Sequence, residues 1–215
     1  MKTNFWITSS IAIVVAIALK FTAFSEPVSP NIAGRYIAAI TDGDFLASTY
    51  TDGKLPVPIN PDRLFIINLP IEEGQTEIAQ VNASNSVTGA PYAFDVTADG
   101  STAFVVETLG FATPGATTRE QLPPGQQLTR IDLSNPRRPT VIDKVAIAPK
   151  PETVSVHPSG ELLAISTQTP DREILLIPVQ NRSLGQPIEF SLRQLGIVPD
   201  PARFQNGMYA SYLTG

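Results

Sequence analysis

Short runs with apolar residues at alternate positions, such as Tyr92, Phe94 and Val96, recur from Gly34 to about Leu192 and are separated by Asp-Gly, Ser-Gly or proline-rich stretches. Period-two alternation marks half-buried strands, because successive side chains point to opposite faces of a sheet. Glycine between two such runs predicts a hairpin, since it supplies the positive φ of a tight turn. The pattern predicts strand pairs within 34–50, 91–108 and 151–168. Further strands are predicted at 63–69, 77–81, 128–133, 141–147, 173–179 and 187–192. With 20 prolines against 14 glycines, long helices are disfavoured and the fold class is all-β.

The first residues follow a different pattern. Lys2 precedes an apolar run from Phe5 to Leu19 that is interrupted only by Thr8, Ser9 and Ser10, the arrangement of a signal peptide. Ala23 and Ser25 are the small residues expected before a cut at Glu26. An uncleaved anchor is the alternative: 5–24 is long enough to span a bilayer with Lys20 reaching the interface. Either way 1–25 is an N-terminal apolar helix, and 26–215 is expected outside the cytoplasm: secreted, in the periplasm or cell envelope, or tethered to the membrane.

The strand pattern repeats. "PYAFDVTADGSTAFVVET" (91–108) aligns without a gap with "PETVSVHPSGELLAISTQ" (151–168), matching Val96 with Val156 and Gly100 with Gly160. "GRYIAAITDGDFLASTY" (34–50) is a weaker copy, read with Asp42-Gly43 as its turn. Four antiparallel strands therefore recur about three times, as approximate blades 34–81, 89–147 and 150–192, with 193–215 as the start of a further one. A unit of this size buries its faces only by stacking on copies of itself, and radial stacking gives a β-propeller.

The hairpin "VSVHPSGELLAI" resembles the first two strands of blades in the seven-bladed YVTN and lactonase-like β-propeller superfamily, and "LTRIDLSNPRRPTVIDKVAIAPKP" resembles the segment from third to fourth strand. The repeat here is nearer sixty residues than forty-five, and WD and kelch signatures are absent. The resemblance implies more blades than the three to four counted here, so the chain is expected to be an incomplete propeller, either a fragment of a longer one or one whose closure is shared between chains. As an alternative to binding it implies lactonase-like hydrolysis of cyclic esters in the central channel; no catalytic motif of that family is matched.

Charge and composition narrow the chemistry. A net charge of −5 with scattered Lys and Arg excludes a nucleic-acid partner on electrostatic grounds. Without cysteine there is no disulfide, thiolate nucleophile or cysteine-held zinc. His157, the single histidine, stands where the neighbouring repeat has Thr97 and reads as a turn former. No G-x-S-x-G elbow is present. No cofactor is expected; the weak option is calcium, for which Asp42, Asp44, Asp52, Asp95, Asp99 and Glu107 offer oxygens. Asp95 on a first strand, and Arg35 near the start of the first repeat, are the candidates for residues facing a central channel.

The long connectors 51–62, 109–126 and 193–207 all emerge on one face of an antiparallel meander. Long loops gathered on a rigid scaffold are where binding concentrates. The expected function is an extracytoplasmic binding or scaffold protein whose long-loop face engages a protein, peptide or glycan. A structural envelope repeat protein is the remaining alternative.

Overall fold

A computed structural model describes residues 34–71, 74, 76–85, 92–180 and 183–197. The leader and most of the segment expected to begin a further blade lie outside these residues. Three antiparallel sheets make up the described chain, with almost no helix. The first holds β1 (Tyr36–Thr41), β2 (Arg63–Asn68) and β3 (Ile78–Asn82) in that order. The second holds β4 (Phe94–Val96), β5 (Thr102–Val106), β6 (Gln127–Asp132) and β7 (Thr140–Ala146), also in chain order. The third runs β8 (Pro151–Val156), β9 (Leu162–Thr167) and β10 (Ile174–Gln180), with the short β11 (Ser183–Leu184) and β12 (Ile188–Phe190) both paired to β10.

Two single turns of helix, α1 (Thr49–Asp52) and a 3-10 turn (Arg119–Gln121), interrupt the loops. The all-β expectation therefore holds, and the later strands start and end within about two residues of the predicted ones.

The first repeat is built differently from its sequence reading. No strand follows Asp42-Gly43; β1 pairs instead with β2 across the connector 42–62. Gly43 is spent on close approach: a Cβ there would stand 2.4 Å from the Pro61 carbonyl oxygen, and its N–H donates to Asp62 Oδ1 at 2.7 Å. Strand order and connector length make β1 the counterpart of β5 and β9, each followed by its third strand. Gly34 thereby takes the place of Gly100 and Gly160, nine positions before the glycine that the sequence suggested.

Stacking explains the side-chain pattern. All five residues of β5 are buried, because the second sheet is covered on both faces. Phe104, Val106 and Leu128 pack against Leu163, Ile165 and Leu175 of the third sheet. Ala103, Val105 and Ile131 pack against Leu64 and Ile66 of the first. Polar ties fix the register between sheets. The Val154 N–H donates to the Tyr92 carbonyl at 3.0 Å, the Thr108 hydroxyl to the Pro151 carbonyl at 2.6 Å, and the Tyr36 hydroxyl to the Gly100 carbonyl at 2.7 Å. Partial burial holds the Tyr36 phenol above its usual range.

Candidate functional site

The connector 42–62 after β1 and the connector 107–126 after β5 interlock. Leu55 N–H donates to the Thr117 carbonyl at 2.9 Å, Arg119 N–H donates to the Gly53 carbonyl at 2.8 Å, and Lys54 and Thr118 form a bridge between them. Phe45, Leu55 and Leu122 are buried in a small apolar cluster that Ile59, Leu109 and Ala112 complete. The two loops thus share a core of their own, separate from the clusters between the sheets.

Local chemistry shapes each limb. α1 ends where Gly53 adopts φ 73° and its N–H bonds the Thr49 carbonyl at 3.0 Å, a left-handed cap suited to glycine. The buried Thr49 hydroxyl donates to the Lys54 carbonyl at 2.7 Å and accepts from Leu46 N–H at 3.1 Å. On the other limb the Gln121 Oε1 accepts the N–H groups of Thr117 and Thr118 at 2.7 and 3.1 Å, which fixes the 3-10 turn. The resulting platform leaves Val57 95% and Phe111 51% exposed, large apolar side chains that the shared cluster does not cover.

At the base of the platform a buried polar network joins the first two sheets. Asp62 accepts Gly43 N–H on one oxygen at 2.7 Å and Asn85 N–H on the other at 2.9 Å. Asn85 in turn donates its side-chain amide to the Thr41 carbonyl at 3.0 Å, and its own carbonyl accepts Thr108 N–H at 2.9 Å. Both Asp62 and Asn85 are almost fully buried.

Beside this network, carboxylate oxygens of Asp42, Asp44 and Asp62 lie within 4.8 Å of one another. Of the six acids read from the sequence as calcium donors, Asp42 and Asp44 share this cluster; Asp62 was not among the six. Elsewhere, Asp52 accepts Lys54 N–H at 2.9 Å, and Asp99 accepts Ser101 N–H at 2.9 Å. Burial, and to a smaller degree the Asp62 charge, holds the Asp42 carboxyl above its ordinary 3.8, against hydrogen bonds from Asp44 and Tyr50 that lower it. Burial and then the Asp42 charge push the Tyr50 phenol well above its usual value.

The sign of the resulting pH dependence follows from linkage. A carboxyl raised in the folded state stabilises that state fully below its unfolded pKa of 3.8 and loses the contribution as pH rises through the folded value. Asp42→Asn keeps an acceptor for the Tyr50 hydroxyl and removes the titration. The variant is expected to gain stability over the parent as pH is raised from the acid range to neutrality, measured as the difference between urea unfolding curves at matched pH.

The other residues singled out by sequence lie away from the platform. Asp95 Oδ2 accepts the Val156 N–H of the third sheet at 2.8 Å, and its Oδ1 accepts its neighbour Val96 N–H at 2.8 Å. Arg35 donates to the Ser134 carbonyl at 3.0 Å, at the short-turn end of the sheets, and no bond joins it to Asp95. His157 sits in the β8–β9 turn: its carbonyl accepts Gly160 N–H at 2.7 Å and its Nδ1 faces Ser159 N–H at 3.2 Å. Thr97 holds the same place in the β4–β5 turn, accepting Gly100 N–H at 2.7 Å.

Clefts open at both ends of the sheets among the described residues. One of about 410 Å³ adjoins the platform and is lined by Leu122, Arg119, Glu120, Lys150 and Gln168. Another of about 830 Å³ opens between the second and third sheets at their short-turn end, with Phe104 and Arg130 in its wall. Arg130 is held by Asp143 through two parallel hydrogen bonds, Nε to Oδ1 at 2.8 Å and Nη2 to Oδ2. These bonds raise its already high pKa. Among the described residues no helix is long and apolar enough to cross a membrane.

No family model and no curated protein matches the chain. Among solved structures it is similar to a protein of unknown function from Desulfotomaculum acetoxidans, at 18% identity and a TM-score of 0.40, over 72% of this chain and 41% of that one. It is also similar to a provisionally assigned 6-phosphogluconolactonase from Bacteroides fragilis, at 13% identity and a TM-score of 0.40, over 64% of this chain and 36% of that one. The chain spans about two fifths of the length of these structures.

Proposed function

We propose that this chain is part of a β-propeller that works outside the cytoplasm as a binding module, with the face carrying the interlocked connectors engaging a protein, peptide or glycan partner. The shared core of those connectors carries this reading. Loops merely tolerated on a surface need no common apolar cluster, whereas Phe45, Leu55 and Leu122 hold two of them as one body. A preorganised surface binds at lower entropic cost than two separate loops. Val57, Phe111, Arg119 and Lys150 give it apolar and cationic groups together. The propeller reading draws further support from the second sheet, which is sandwiched between two others of the same build. The leader pattern supports export.

The test is capture from the native extracellular or envelope fraction on the immobilised full chain, compared with a variant in which 111–121 is replaced by a short Gly-Ser turn. Specific capture is expected with the parent and not with the variant, while both keep the same β-sheet circular dichroism. Equal capture by both would overturn the reading, as would turnover of cyclic esters that the loop replacement leaves intact.

A further inference from the structure

The cleft of about 830 Å³ between the second and third sheets lies at the opposite end of the sheets from the interlocked connectors, and both of its walls are described strands and turns. Its size falls within the roughly 300–1,000 Å³ of small-ligand sites, but size alone assigns nothing. The second-sheet wall carries two built features. The first is Arg130, only 8% exposed, with Asp143 directly across the ladder on β7. Asp143 takes Nε and Nη2, while Nη1 has no partner among the described residues and is not sealed from solvent. Two parallel bonds hold the guanidinium plane, so the unspent N–H pair keeps one fixed direction. The second feature is a bulge. Arg130 pairs with Asp143 but Ile131 pairs with Val141, which leaves Ile142 without a partner on β6. A bulge re-aims the side chain it frees. Ile142, 45% exposed, lines the cleft together with Arg130.

The third-sheet wall adds Pro158 and Glu161 from the β8–β9 turn. The Glu161 backbone is tied at both ends, its N–H to the Ser159 hydroxyl at 3.2 Å and its carbonyl to Val179 N–H at 2.8 Å. Its carboxylate takes no hydrogen bond among the described residues and forms no ion pair with Arg130. Asp99, at the rim, is engaged with Thr97 and Ser101 of its own turn. One cation therefore faces three carboxylates, Asp99, Glu161 and the Asp143 that already neutralises it. An anion meets net repulsion in such a cleft. A cation drawn to Glu161 would meet the fixed donors of Arg130 and satisfy none of them. A neutral ligand that accepts at one point, donates at another and is apolar between them suits all of these groups together. The hydroxyls of a sugar ring each donate and accept, and its C–H edges can lie on Ile142 and Pro158.

We propose that this cleft binds a neutral sugar of one or two rings, with Arg130 Nη1 donating to a ring hydroxyl, the Glu161 carboxylate accepting from another, and Ile142 covering the C–H edge between them. The site is separate from the connector face and stands whether or not that face has a partner.

Titration of the full chain with maltose, cellobiose, lactose and N,N′-diacetylchitobiose tests this, followed by calorimetry and by saturation transfer to the sugar protons. Saturable binding of at least one is expected. Glu161→Ala and Ile142→Ala, both at exposed positions, should each weaken it at least tenfold while the urea unfolding curve stays that of the parent. Arg130→Lys keeps a charge opposite Asp143 but gives up the fixed N–H pair, and a similar loss is expected. Should that variant be unstable, the two exposed substitutions still decide. Replacement of 111–121, at the other end of the sheets, should leave sugar binding unchanged. No saturable binding of any of the four sugars would overturn the proposal, as would an affinity that survives both exposed substitutions or one that the 111–121 replacement abolishes. Tighter binding of glucuronic acid or of trilysine than of every neutral sugar would overturn it too, by showing that charge selects the ligand.

Discussion

Asp62→Ala is expected to destabilise the protein by about 4 kcal/mol, read from urea unfolding at neutral pH. The carboxylate accepts two N–H groups, Gly43 and Asn85, and Asn85 is almost wholly buried. Losing the shared acceptor strands both donors at about 1–3 kcal/mol each, with charged acceptors toward the upper end. One effect opposes this: Asp62 lies close to Asp42 and Asp44, and removing its charge relieves repulsion. The Asp62 charge comes after burial and the hydrogen bonds from Asp44 and Tyr50 among the causes acting on the Asp42 carboxyl, so the relief is taken as a partial offset to the two lost hydrogen bonds. Asp62→Asn separates the contributions. It retains one acceptor oxygen and turns an amide toward the second donor, so its loss should fall between parent and alanine. A loss below about 1 kcal/mol for Asp62→Ala would show that the network is solvated and does not tie the first two sheets together.

Gly125→Ala is expected to cost about 3 kcal/mol through steric conflict alone. A Cβ at this position would stand 2.1 Å from the Glu107 carbonyl oxygen and 2.6 Å from its carbon. The Glu107 backbone cannot easily retreat, since its N–H is committed to the Gln127 carbonyl at 3.0 Å. Gly125 is pinned as well, donating to the Thr108 carbonyl at 3.0 Å and accepting from Lys150 N–H at 2.7 Å. Overpacking between fixed backbones costs about 1–3 kcal/mol, occasionally more, and two-sided pinning places this site at the upper end. Gly115→Ala is the matched control. Gly115 has φ 89° but nothing within 4 Å of its absent Cβ, so that substitution should lose only about 1–2 kcal/mol of backbone strain. Equal losses in the two variants would mean that the closure of the second connector does not depend on close approach.

Much of the sheet architecture was legible because half-buried strands leave their mark on every second residue. β6, β7 and β10 were placed to within a residue or so of their observed ends, each being bounded by turn residues. The first repeat misled for a definable reason. Asp42-Gly43 is the stronger local turn signal, but its geometry is set by the returning limb at Asn60 and Pro61, contacts that no local pattern records. Gly34, weaker as a hairpin signal, holds the true repeat position.

The candidate site was legible only in outline. That the long connectors share a face follows from counting chain reversals. Their docking depends on Phe45, Leu55 and Leu122, which look in sequence like isolated apolar residues in polar loops. Asp62 was missed because its partners lie 19 and 23 residues away. His157 could be read as a turn residue because the repeat itself supplied the comparison, with Thr97 in the same role.

The shared core of the two connectors carries a consequence for how this surface changes over generations. Surface loops on a sheet scaffold ordinarily drift one at a time, since an insertion in one leaves its neighbour untouched. Here a deletion around Leu55 strips the cover from Leu122, and a lengthening around Ala116 withdraws the Thr117 carbonyl from Leu55. The two segments are bound to a common history: a change in the shape of this face has to arrive as a paired event in both, or as substitutions confined to side chains such as Val57 and Phe111 that stand clear of the common core.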